Sequence, residues 1–127
     1  MSAVEMDKKQ LKRDCVKNGQ FTTPHLNDKL YLHYKGYSKI QNLEEYTGVK
    51  ALFLEGNGFT KIEGLEAQKE CKSLYLQENV LDKIEGLDSM VGLDTLNLSK
   101  NYITTLSLAH LLNWANSLKN FSLLSEI

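Results

Sequence analysis

Apolar positions in this chain recur on a fixed step. Leu30-Tyr31-Leu32, Leu52-Phe53-Leu54, Leu74-Tyr75-Leu76 and Leu96-Asn97-Leu98 follow one another at 22-residue offsets. The same step links Ile40, Ile62, Ile84 and Leu106, then Leu43, Leu65 and Leu87, then Asn57, Asn79 and Asn101. Lys61-Ile62-Glu63-Gly64-Leu65 and Lys83-Ile84-Glu85-Gly86-Leu87 are identical segments. So many columns held in register mark an internal repeat, and a repeat of this length builds a stack of like units rather than one closed core.

The columns predict the elements. In each Leu-x-Leu the two leucines share one face of a short strand, and the residue between them points to the other. The asparagine three residues later sits where the chain leaves the strand. Its side-chain amide both donates and accepts. Asn57, Asn79 and Asn101 are therefore expected to stack as a buried ladder that satisfies backbone groups stranded by the turn. Columns such as Phe59, Ile62 and Leu65 return the chain along the convex side. The whole unit resembles the leucine-rich repeat pattern. The expected fold class is α/β: a leucine-rich-repeat solenoid with short parallel β-strands on its concave face and an N-terminal helical cap.

The ends depart from the repeat. Asp7-Lys-Lys-Gln10 reads as a capping box, Leu11 and Cys15 share one helical face, and Asn18-Gly19 is a stop signal. They predict a helix over roughly Ala3 to Asn18, and a division into a cap, residues 1–24, and about five repeats, residues 25–127, the last incomplete. In the first repeat Lys35 takes the asparagine column, and Tyr34 and Tyr37 replace smaller residues, as terminal repeats tend to do. Leu108, Leu111, Leu112 and Ala115 are spaced like a helix face, which predicts a convex-side helix from Leu106 to Asn116. Trp114 packs under the last strand or sits on its edge. The next strand, Leu118 to Leu123, begins three residues late. The chain stops at Ile127, just where a fifth repeat should have its asparagine, so it is expected to be the front part of a longer protein. An uncapped last strand is an adhesive edge. A monomer is expected, with an edge-mediated dimer as the alternative.

Composition narrows the function classes. Among 127 residues, 15 Lys and Arg face 16 Asp and Glu, which argues against direct nucleic-acid contact. The single proline, Pro24, suits a chain whose strand N–H groups must donate to a neighbour. No apolar run is long enough to cross a membrane, and the first residues lack a secretory signal, so a cytoplasmic location is expected. Cys15 and Cys71 read as reduced thiols without metal-ligand spacing. His25, His33 and His110 are scattered, and Gly56-Asn57-Gly58 is a repeat turn rather than a phosphate loop. No catalytic residue, cofactor or metal is expected, and the chain reads as a non-enzymatic protein.

The informative column is the residue between the strand leucines: Tyr31, Phe53, Tyr75, Asn97 and Ser122. Three aromatics in a row on a concave face suit a protein partner. His33, Glu55 and Gln77 flank them, with Lys29, Lys50, Lys72, Glu78 and Lys100 further out. The competing explanation is that the rings only stabilise the sheet as cross-strand neighbours.

Several segments carry a narrower resemblance. Leu26 to Tyr37, Ile40 to Gly48, Ile62 to Gln68 and Leu96 to Ile103 are similar to the leucine-rich-repeat dynein axonemal assembly factors of ciliated cells. The resemblance runs from about Leu11 to Ile103 and loosens after it. It implies a cytoplasmic, cilium- or flagellum-associated scaffold for preassembly of dynein arms, holding dynein subunits or assembly co-factors on the concave face. The alternatives are another adaptor of the same repeat class, such as a phosphatase regulatory subunit or a dynein light chain, and a spliceosomal repeat protein.

The leucine columns make the first testable point. Leu74→Ala should destabilise the chain by roughly 2–5 kcal/mol in urea unfolding followed by circular dichroism; a loss below about 1 kcal/mol would remove Leu74 from the core.

Overall fold

The computed structural model of the chain describes residues 4–104 and 120–122. Five short strands form one parallel sheet in chain order: β1 (Lys29–Tyr31), β2 (Ala51–Phe53), β3 (Ser73–Tyr75), β4 (Thr95–Asn97) and β5 (Asn120–Ser122). The register is the repeat itself, with Leu30 opposite Leu52, Leu52 opposite Leu74, Leu74 opposite Leu96 and Leu96 opposite Phe121. Asn97 pairs with Ser122, so the fifth strand enters 25 residues after the fourth, as its late start in the sequence predicts. The segment from Leu106 to Asn116, with Trp114, lies outside the described residues.

The core is the stack of inward columns. Leu30, Leu52, Leu74 and Leu96 are buried, as are Leu32, Leu54, Leu76 and Leu98. Behind them run Tyr37, Phe59, Leu81 and Ile103, then Leu43, Leu65 and Leu87. Each described unit returns along its far side through a tight turn: Tyr46 N donates to Leu43 O at 3.1 Å, Gln68 N to Leu65 O at 3.2 Å and Met90 N to Leu87 O at 3.0 Å. Gln68 takes the column of Tyr46 and Met90 and spends its amide on the unit before it, donating to Leu43 O at 2.7 Å.

One further column explains the glycines of the identical segments. Asn42, Gly64 and Gly86 all have φ between 64° and 71°. At Gly86 a Cβ would stand 2.4 Å from Ile62 O, and at Gly64 2.8 Å from Ile40 O. Only glycine fits where one repeat presses on the next. Asn42 has no earlier repeat behind it. It tolerates the left-handed conformation as asparagine does, and its amide donates to Met6 O at 3.0 Å.

The N-terminal end is closed by a helix and by side-chain amides. Helix α1 spans Lys8–Lys17, with Asp7 accepting from Gln10 N at 2.7 Å. The helix thus starts several residues later than Ala3. Asp7 caps it only from a non-helical backbone, and Val4 before it pairs in parallel with Tyr37. A Schellman turn ends it at Asn18-Gly19: Gln20 N donates to Cys15 O at 2.7 Å and Gly19 N to Val16 O at 3.1 Å. Leu11, Asp14 and Cys15 are buried. Buried Asp14 accepts the hydroxyl of Tyr37, which docks the helix on the first repeat. Burial and that bond to Asp14 push the Tyr37 phenol far above its ordinary range. Beyond the helix, Asn18 Nδ2 donates to Tyr31 O at 3.2 Å and Gln20 Nε2 to Lys29 O at 2.7 Å. These two amides stand where a preceding strand would be, on the open edge of β1.

The asparagine column runs along the strand exits. Asn57 Nδ2 donates to Leu32 O at 2.9 Å and Leu54 O at 3.0 Å. Asn79 Nδ2 donates to Leu54 O and Leu76 O, both at 3.1 Å. Asn101 Nδ2 donates to Leu76 O at 2.9 Å and Leu98 O at 3.2 Å. Each Oδ1 accepts from a backbone N–H one unit back: Tyr37 for Asn57, Phe59 for Asn79 and Leu81 for Asn101. Asn79 and Asn101 are buried, whereas Asn57 is half-buried because Lys35 leaves it no asparagine to pack against. Asn79→Ala strands buried carbonyls and a buried N–H, and should cost at least about 3 kcal/mol in urea unfolding. Asn57→Ala, where water can enter, should cost less; equal costs would contradict this placement.

Candidate functional site: the aromatic face of the sheet

Strand pleating alone decides which residues leave the core. The odd-numbered residues of β1 to β3 and their counterparts on β4 point away from the leucines, onto the face that a repeat solenoid of this kind turns inward as its concave surface. Register then brings the chosen column together. Tyr31, Phe53, Tyr75 and Asn97 stand side by side, with Ser122 next in line. Tyr31 and Phe53 stack with centroids 4.9 Å apart and planes at 20°. Phe53 and Tyr75 stack at 4.8 Å and 10°. The ring spacing equals the strand spacing, so the sheet itself sets the stack.

Asn97 does not extend the stack. Its Oδ1 accepts from Ser99 N at 3.0 Å and Ser99 Oγ at 2.7 Å, which folds the side chain along its own strand. The aromatic surface therefore ends at Tyr75. His33 closes the other side, edge-on to Tyr31 at 6.2 Å and to Phe53 at 6.4 Å.

His33, Glu55 and Gln77 form the neighbouring column on the same face, with Ser99 in the same place on the fourth repeat. All three are half-buried. Lys29, Lys50 and Lys72 are exposed at the entry ends of the strands. Charge of both signs lies at each end of the strands: Lys29, Lys50 and Lys72 with Asp28 and Asp94 at the entries, and Glu78 with Lys100 at the exits.

One feature of the exit side lies outside the columns considered above. Tyr34, Gly56, Glu78 and Lys100 share a column and all have φ between 51° and 69°. The Tyr34 ring lies flat across Gly56, where a Cβ would stand 2.0 Å from it, and its hydroxyl donates to Glu78. That bond to Glu78 raises the Tyr34 phenol above its ordinary range. The signal was present in the sequence, as an aromatic residue one repeat before a glycine in the same column.

The thiols lie elsewhere. Cys15 and Cys71 are both buried and free. Burial pushes the Cys71 thiol up to about 11, against the opposing pull of backbone hydrogen bonds, and burial also raises Cys15. Neither is a thiolate at neutral pH. Among the described residues no cluster of His, Cys, Asp and Glu could hold a metal ion, and no helix is long and apolar enough to cross a membrane. His25 is exposed in a short 3₁₀ turn, and His110 lies outside the described residues.

Comparison with solved structures supports the architecture. Over 79% of this chain and 62% of the other, the fold matches a chain in the crystal structure of the Drosophila melanogaster SNF/U2A′ complex, with a TM-score of 0.65 and 26% identity. That neighbour is the leucine-rich-repeat protein U2A′. The chain has the leucine-rich-repeat fold. Across 48 residues, 38% of its length, this leucine-rich-repeat chain is 54% identical to the dynein axonemal assembly factor 1 homolog of Anopheles gambiae. The same length is 50% identical to dynein axonemal assembly factor 1 of Homo sapiens. The aligned part makes up 5% and 7% of those two relatives. The chain spans less than a tenth of the curated relatives it matches. No protein-family model matches it.

Stacking should be measurable apart from any binding. Phe53 has two stacked neighbours and Tyr31 one, and each such pair is worth about 0.5–1.5 kcal/mol beyond burial. Phe53→Leu should therefore destabilise the chain about twice as much as Tyr31→Leu in urea unfolding. Equal losses would show that the rings contribute by burial alone.

Proposed function

We propose that this chain is the binding part of a non-enzymatic scaffold for the preassembly of axonemal dynein arms, and that it holds protein partners on the face built from Tyr31, Phe53, Tyr75 and Asn97. Sequence likeness to dynein axonemal assembly factor 1 supports the role. A single observation supports the surface. The three rings project away from the leucine core and, half-buried against one another, form a continuous apolar row on the opposite face of the sheet. His33, Glu55 and Gln77 add hydrogen-bonding groups beside them. The partners are dynein subunits or assembly co-factors, the working place is the cytoplasm of a ciliated or flagellated cell, and neither nucleic acid nor membrane is contacted.

The test is affinity purification of the full-length protein from flagellated cells, with partners identified by mass spectrometry. Wild type should bring down dynein subunits or assembly co-factors. Phe53→Ala with Tyr75→Ala should lose them by tenfold or more while circular dichroism and unfolding stay cooperative. Unchanged capture by the double variant would overturn the surface. Recovery of phosphatase or of small nuclear RNA in place of dynein would overturn the role.

A further inference from the structure

Buried polar atoms without a partner are costly, so their positions are informative. Among the described residues such side-chain atoms fall on Gln20, His33, Glu55, Gln68 and Gln77. Three of the five are one column: His33 Nδ1, Glu55 Oε1 and Gln77 Oε1, on three successive repeats of the aromatic face. The adjoining asparagine ladder, by contrast, is fully bonded. A fold that satisfies one column this completely leaves the next one unmet.

The chemistry of Glu55 and Gln77 in this column is one-sided, because carboxylate and amide oxygens only accept, whereas an imidazole nitrogen donates or accepts according to its tautomer. A partner that relieves these two oxygens must bring donors. Glu55 makes a cationic donor better than a neutral one. Glu55 and Gln77 lie just past the ends of adjacent strands, whose backbones are about 4.8 Å apart and still bonded there through Gly56 N and Gln77 O, a span matched by the planar fork of a guanidinium, which offers five donors at fixed positions. An ammonium is a compact point charge and satisfies one acceptor at a time. Phe53 and Tyr75, next to the column, give an apolar wall for the stem of a long side chain. Glu55 and Gln77 lie toward the strand exits, apart from the mixed charge of Asp28, Lys50, Lys72 and Asp94 at the entries.

We infer that the Glu55–Gln77 pair is a subsite for an arginine side chain of the protein partner, its guanidinium bridging Glu55 and Gln77 while its stem lies along Phe53 and Tyr75. The inference rests on the concave-face reading above and specifies what that face selects. A partner segment therefore carries arginine between the second and third repeats.

The experiment separates the two. N-acetylarginine amide, N-acetyllysine amide and N-acetylcitrulline amide are titrated into the isotope-labelled chain, and the side-chain amide signals of Gln77 are followed by NMR. Arginine should move them with roughly tenfold higher affinity than lysine or the isosteric, uncharged citrulline. Glu55→Gln should remove most of the arginine advantage over citrulline and leave the spectrum folded. Gln77→Ala should weaken arginine binding without touching stability. Equal affinities for arginine, lysine and citrulline, or a Gln77 signal that does not move, would overturn the subsite. If Phe53→Ala with Tyr75→Ala still loses the cellular partners while Glu55→Gln keeps them, the concave face stands and the arginine subsite falls.

Discussion

Leu54 O accepts one amide hydrogen from Asn57 of its own repeat and another from Asn79 of the next, and Leu76 O is shared in the same way by Asn79 and Asn101. The rest of the structure depends on this sharing. A chain that leaves a strand every 22 residues must turn inside the protein, and a buried turn strands carbonyls that no sheet can reach. The asparagine amide resolves the problem twice over, closing its own turn and gripping its neighbour's. It also fixes spacing. Once strands are held at one register, the leucine columns fill the space between them and the residues on the opposite face line up without any further instruction.

The binding face is a by-product of that spacing. Tyr31, Phe53 and Tyr75 do not choose to stack; they are placed at stacking distance because their backbones are hydrogen-bonded neighbours. The same logic puts His33, Glu55 and Gln77 in a row. A repeat protein can thus write a recognition surface by substituting one column at a time, with little effect on the core behind it. The surface is bounded where a residue declines to follow its column, as Asn97 does by turning to Ser99.

Much of this was legible in the sequence because a fixed period converts position into place. The strands, their parallel order, the inward leucines and the membership of the aromatic column all follow from counting. What escaped the count has a common physical character. Helix α1 starts at Lys8, where the capping box at Asp7 puts it, and not near Ala3; the residues before the cap are non-helical, and Val4 pairs with Tyr37 across a distance no local pattern records. The bond from Tyr37 to Asp14 joins residues related by no period. Gly64 and Gly86 were visible as repeated letters, but their reason, a carbonyl of the preceding unit pressed against them, is a contact between repeats rather than a property of either. Side-chain direction within a column, as at Asn97, is likewise set by local hydrogen bonds that no spacing records.

The two amides on the edge of β1 have a consequence for assembly. Asn18 and Gln20 occupy acceptors that would otherwise welcome the strand of another molecule. Joining two solenoids edge to edge requires the N–H and C=O groups of one edge strand to pair with those of another. With the carbonyls of Lys29 and Tyr31 already bonded from within the same chain, β1 offers an incoming strand fewer open partners than a bare edge would.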